Sequence, residues 1–128
     1  MRFADVVFAG YAYHAEPVRA MLDTWRSIVR ATADWMTAYV WRNATMSVFD
    51  LGPPMYVVIE DAGPNVTCNL GFELAYWRLG LEHAGVWMER RPRSEEVPEA
   101  CTEVRNNLTP LPVKDGLYAV YEGIPNDF

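Results

Sequence analysis

The sequence predicts a mainly α-helical chain, and three observations predict it. From Val18 to about Tyr39, apolar side chains recur at helical spacing for about six turns. From about Asn69 to Glu89, a second long segment carries two apolar stripes. Between them the period changes, and glycine and proline cut the chain into short β-prone runs. Two long helices, shorter helices and a small β-hairpin or extended segment are expected.

Residues from about Phe3 to Tyr13 are apolar and punctuated by Gly10, which reads as a short helix. Ala15-Glu16-Pro17 breaks it, and Pro17 suits the first turn of the next helix. In that helix Val18, Met21, Leu22, Trp25, Ile28, Val29, Thr32, Trp35, Met36 and Tyr39 make the apolar face, with Arg19, Asp23, Arg26, Arg30 and Asp34 toward solvent. Met46-Ser47-Val48-Phe49 and Tyr56-Val57-Val58-Ile59 flank Gly52-Pro53-Pro54 as a hairpin or extended loop, closed by a turn at Asp61-Ala62-Gly63-Pro64-Asn65. In the second long helix, Leu70, Leu74, Trp77, Leu81, Ala84 and Met88 form one stripe and Phe72, Tyr76, Leu79 and His83 the other. A helix apolar on two faces is expected to lie between neighbours, and this chain offers few. Ser94 reads as the N-cap of a shorter helix reaching about Asn107; Leu108–Pro112 is an extended stop, and residues 117–121 read as a strand.

A chain of 128 residues, 51% hydrophobic and 13% aromatic, has the apolar content to offset the entropy of ordering. Five Trp and seven Tyr are hard to bury completely in so short a chain, so some are expected to face a ligand, a partner or further protein. The net charge of −6 argues against nucleic acid and anionic membranes as partners. Arg90, Arg91 and Arg93 read as a helix-end cluster complementing the dipole. No run is long enough to span a bilayer, and the N-terminus lacks a signal-peptide pattern. Cys68 and Cys101 read as free thiols. Three N-glycosylation sequons, at Asn43, Asn65 and Asn107, exceed what chance supplies in this length and point weakly to a secreted lineage.

A longer pattern then stands out. Trp25, the run 31–36 (Ala-Thr-Ala-Asp-Trp-Met), Leu51-Gly52-Pro53-Pro54, Glu60, and Phe72-Glu73-Leu74-Ala75-Tyr76-Trp77-Arg78 with Leu81 together resemble the six-hairpin glycosidases. Leu111-Pro112-Val113-Lys114-Asp115-Gly116 and Tyr121-Glu122 resemble the same group. Those proteins are (α/α)6 toroids of the glycoside hydrolase family 65 and 95 type. The resemblance implies an inverting, metal-independent hydrolase or phosphorylase of glycosidic bonds. It implies that residues 1–128 are a single partial domain, a fragment inactive alone, because two long helices cannot close a six-hairpin ring. It also places Glu60 at the general-acid position, with Asp61 where the family pattern has Asn; a neighbouring negative charge alters proton affinity.

Each candidate has an ordinary reading beside the catalytic one. Glu60 follows the apolar run 56–59, so it is either a desolvated, protonated acid or a polar strand end facing water. Glu73, among apolar neighbours, pairs with Arg78 or binds a sugar hydroxyl. Tyr76 and Trp77 stack on a pyranose face or belong to the core, and Trp35 and Trp41 carry the same two readings. His14 and His83 sit in no metal-ligand spacing, and neither a Gly-x-Ser-x-Gly elbow nor a phosphate loop occurs; no metal and no cofactor are expected. A different class of function remains open: a non-catalytic helical module, self-associating as a homo-oligomer or binding a partner through exposed aromatics.

Overall fold

The structure, a computed structural model, describes residues 3–57, 62–90 and 98–125. Those residues form a mainly helical small domain: four helices, α1 (Phe3–Ala15), α2 (Arg19–Tyr39), α3 (Gly71–Glu89) and α4 (Glu99–Asn107), and two small antiparallel sheets. One sheet pairs β1 (Trp41–Asn43) with β2 (Val48–Asp50), the other β3 (Val113–Lys114) with β4 (Leu117–Tyr118). The chain divides into two compact units, each built from two separate stretches of sequence: Met1–Tyr39 with Trp77–Asn106, and Val40–Tyr76 with Asn107–Phe128.

The first unit is helical. α2 buries Leu22, Val29, Thr32, Ala33 and Met36, a narrower stripe than its apolar positions, and leaves Val18, Ile28, Trp35 and Tyr39 exposed. Its polar side carries Arg30 against Asp34 at 3.0 Å and Arg19 near Asp23 at 3.8 Å, exposed pairs of little net worth. Where α2 ends, its last carbonyls lack helical partners. The buried indole of Trp77 donates to one of them, the Met36 carbonyl, at 3.0 Å. Trp35 and Tyr39 pack their rings on Trp77, at 5.3 and 5.5 Å between centroids. α1 runs unbroken through Gly10, which is buried near His83. Tyr13 meets the edge of Trp87 at 5.9 Å, and the Arg90 guanidinium lies 4.7 Å from the Tyr13 ring centroid. Arg90 thus stacks as a cation on an aromatic ring; Arg91 and Arg93 lie outside the described residues.

The second unit holds both hairpins. The sequence places a hairpin or extended loop across Gly52-Pro53-Pro54; the described residues there are extended loop, and the hairpin turn comes earlier, at residues 44–47. Asn43 makes it: its Oδ1 accepts the Thr45 and Met46 amides at 3.2 Å each, and Ser47 takes a left-handed φ of 56°. The proline pair has no N–H to give a ladder, so Tyr56 and Val57 stay outside any strand, while Val58 and Ile59 lie outside the described residues. The β3–β4 connection is Asp115-Gly116, both at positive φ (52° and 80°), the geometry of a two-residue type I′ turn. β4 is two residues long, shorter than the strand read over 117–121. Around the loop the amide of Thr109 donates to Phe49 O, and that of Gly71 to Val120 O, both at 2.9 Å.

α3 separates its two stripes sharply. Leu70, just ahead of it, and Leu74, Trp77, Leu81, Ala84 and Met88 are all buried. Phe72, Tyr76, Leu79 and Val86 are exposed, and His83 is half-buried. The second stripe is therefore not covered by neighbours from these residues. α4 begins at Glu99, with the Cys101 amide donating to Pro98 O at 2.8 Å; the Ser94 cap falls outside the described residues. Leu81→Ala is expected to cost about 2–5 kcal/mol, since it empties a fully buried site. Leu79→Ala, two positions earlier on the exposed stripe, is expected to cost about 1 kcal/mol or less. Urea denaturation of both variants checks the contrast, and equal losses would contradict the assignment of the two faces.

Candidate functional site

The second unit is organised by one buried side chain, Asn69, with 1% of its surface exposed. It sits two residues before α3 in the left-handed region, at φ 51°, a conformation asparagine adopts more readily than most residues. Its backbone amide donates to the Leu51 carbonyl at 2.8 Å, and its side-chain Oδ1 accepts the Leu51 amide at 2.8 Å. Its Nδ2 donates to Asp50 Oδ1 at 3.0 Å and to Glu122 Oε2. Both protons of the amide and its oxygen are thus engaged, as burial of so polar a group requires.

Asp50 is buried and receives a second amide, Asn43 Nδ2, on Oδ2 at 2.8 Å. The network therefore runs Asn43–Asp50–Asn69–Glu122, joining the first hairpin, the start of α3 and the segment after β4. Gly52 lies beside it at φ 73°; a Cβ there would fall 2.4 Å from the Met55 side chain and 3.2 Å from Thr67 O, so no larger residue fits. The Trp41 indole donates to the Gly52 carbonyl. Cys68 is half-buried, its Sγ directed at Glu122 Oε2 at 3.9 Å, while the Glu122 amide donates to Cys68 O at 3.3 Å. Burial first, then the charges of Glu122 and Asp50, push the Cys68 thiol up from its ordinary value, so it is held as a neutral thiol.

Asn69 and Glu122 are among the residues lining a cleft of about 480 Å³. Pro110, Pro112, Val113, Tyr121 and Ile124 supply apolar walls, and Lys114 lies at the rim, its Nζ donating to Ile124 O at 2.6 Å. That volume suits a small ligand. A cleft with apolar lining and one exposed carboxylate offers both packing surface and a hydrogen-bond acceptor.

The residues singled out from sequence are placed differently. Glu60 lies outside the described residues. Glu73 is half-buried on α3 and makes no ion pair among the described residues; burial raises its carboxyl above the usual carboxylate range. Tyr76 is exposed on the same helix, and neither residue lines the cleft. Trp77 is buried with its indole satisfied, so it is a packing residue of the helical unit. Trp35, more than a third exposed, packs against it, and Trp41 is nearly half exposed in β1. No group of three or more metal-binding side chains comes together among the described residues. Asn69, Asp50 and the placement of Glu122 went unread in the sequence, because a lone buried asparagine has no periodic signature; its position just ahead of a helix was the available signal. Both cysteines are free. No protein-family description, curated protein or solved structure matches the chain.

Asn69→Asp keeps the shape but replaces the donating amide with a third carboxylate against Asp50 and Glu122. Its loss is expected to be about 3 kcal/mol or more near neutral pH. The introduced carboxyl gains a raised folded pKa, so stability returns as pH falls and is lost as pH rises through that pKa. Urea midpoints at pH 7 and pH 5 test this, and a pH-independent loss would remove the electrostatic account. Separately, Glu122→Gln is expected to move the pH midpoint of Cys68 alkylation downward, because a neighbouring negative charge is gone. Peptide mapping after iodoacetamide treatment across pH reads it, and an unmoved midpoint would mean Glu122 does not bear on the thiol.

Proposed function

We propose that this chain is part of a carbohydrate-active, glycoside hydrolase-like protein of the six-hairpin class, and that the Asn69–Glu122 cleft forms part of a sugar-binding wall. One observation carries the reading. Of the runs that resemble that class in sequence, Leu51 bonds Asn69, while Pro112-Val113-Lys114 and Tyr121-Glu122, far off in the chain, line the cleft that Asn69 also lines. On this reading the (α/α)6 toroid belongs to a larger protein, of which α2 and α3 are two inner or outer helices.

The carboxylates divide by role. Asp50 is buried and accepts two amides, so it holds the wall together. Glu122 is exposed on the cleft, with one oxygen fixed by Asn69, and is the group that accepts a sugar hydroxyl. These two are not an inverting acid–base pair. Oxygens bonded to the same amide nitrogen lie closer than the roughly 6.5–9.5 Å that leaves room for an attacking water. The general acid on this reading is Glu60, by the resemblance, and the isolated chain is inactive.

A second reading rests on a separate observation: Phe72, Tyr76, Leu79 and Val86 on α3, and Val113, Leu117 and Tyr118 on the second hairpin, are exposed. That much apolar surface also fits a non-catalytic module that self-associates or binds a partner. Titration of the chain with a panel of oligosaccharides by ligand-observed NMR separates the two. Saturable binding weakened at least about tenfold by Glu122→Gln, without sugar release, is expected. No binding, together with concentration-dependent dimers by light scattering, would select the second reading; robust turnover by these 128 residues would refute the fragment reading.

A further inference from the structure

The three sequons are equivalent in sequence and unequal in structure. Asn43 is half-buried and held on both ends of its amide: one Nδ2 proton goes to Asp50 Oδ2 at 2.8 Å, and Oδ1 accepts the Thr45 and Met46 amides at 3.2 Å each. A sugar on that nitrogen would have to fit beside the buried Asp50 carboxylate that the same nitrogen bonds. Asn65 stands in the opposite position. It is exposed at the centre of a tight turn, closed by the Val66 amide donating to Gly63 O at 3.2 Å, and its side chain makes no hydrogen bond among the described residues. Its neighbour Val66 is 78% exposed, an apolar side chain left in water that a first sugar ring would cover. Asn107 is exposed at the end of α4, so the contrast that matters lies between the first two.

We propose that the folded chain carries an N-glycan on Asn65 and does not tolerate one on Asn43, despite its intact sequon. The donor is a polyprenyl-diphosphate-linked oligosaccharide of the secretory lumen. The anomeric C–O bond to the diphosphate breaks as the bond from the sugar carbon to Asn65 Nδ2 forms. The polyprenyl diphosphate leaves, and one amide proton is lost from the nitrogen. Thr67, the hydroxyl residue of this sequon, is fully buried in the folded chain with its Oγ1 donating to Gly63 O at 2.9 Å. The transferase therefore reads the sequon before this loop closes, and the fold decides which glycan is tolerated afterwards.

The test is secretion of the full chain behind a signal sequence from a eukaryotic cell line. Glycans are removed enzymatically in heavy-oxygen water, and peptide mapping locates the labelled aspartates in the soluble, monodisperse fraction and in the cell lysate. In the soluble, monodisperse fraction, label at position 65 and none at 43 is expected, with Asn65→Gln losing one glycan by mobility and Asn43→Gln losing none. An unlabelled Asn65 in both fractions, or a labelled Asn43 in the folded fraction, would overturn the proposal. Asn65→Gln changes a solvent-facing side chain and is expected to fold, so its readout stands independently of the Asn43 variant.

Discussion

The second unit depends on one constraint: a buried amide cannot be left with unused hydrogen-bonding groups. Asn69 answers it by bonding Leu51 in both directions and by bridging two carboxylates. Each such bond is worth only about 0.5–1.5 kcal/mol net, but leaving its partner buried and unmatched costs more. The arrangement is therefore close to all-or-none. A shift of residue 69 would strand the Leu51 amide, one oxygen of Asp50 and the amide itself at the same time. This explains how a segment with no strand or helix among its described residues, from Leu51 to the start of α3, holds a definite path, since long structureless loops are otherwise uncommon in small domains. It also explains the left-handed backbone at residue 69, a local strain that the four hydrogen bonds outweigh.

The helical unit is held by a different force. Leu22, Val29, Met36, Trp77, Leu81, Trp87 and Val104 are buried, and area removed from water dominates there. Polar chemistry enters only at edges, as in the Trp77 indole that satisfies an α2 terminal carbonyl. Trp87 Nε1 is buried and finds no partner among the described residues, a cost the surrounding apolar contacts must offset. The two units therefore respond to different perturbations. Apolar truncation acts on the helices, while changes of charge and donor count act on the Asn69 network.

What the sequence made legible follows the same division. Period and stripe width place α1, α2 and α3 within two residues of their observed starts, because burial of apolar area repeats along a helix and leaves a pattern. The buried stripe of α3 was readable residue by residue. The exposure of its other stripe was not, since hydrophobicity alone does not say whether a neighbour exists. Of the two readings around Gly52-Pro53-Pro54, the extended loop holds and the hairpin does not, because the side-chain bonds of Asn43 set the turn earlier than β-propensity at Tyr56-Val57 suggests. The Asp115-Gly116 turn carries a strong hairpin signal between Val113-Lys114 and Leu117-Tyr118, of which the period-based reading takes only the second as strand. Glu73, Tyr76 and Trp77 drew attention by type and spacing, whereas the cleft is built by residues whose only common property is three-dimensional.

That contrast bears on where chemistry resides in the proposed sugar wall. A carboxylate fixed on one oxygen by a buried amide has lost rotational freedom before any ligand arrives, so accepting a hydroxyl on its other oxygen costs little further ordering. Such a group is suited to positioning. Proton donation to a leaving oxygen asks for the opposite environment, a carboxyl kept neutral by desolvation and free of donors that favour its charged form. Glu122, held by an amide donor and exposed, fits the first requirement and not the second. On the carbohydrate reading the acid must then come from a residue that is not part of the Asn69 network. The resemblance offers Glu60 for that role.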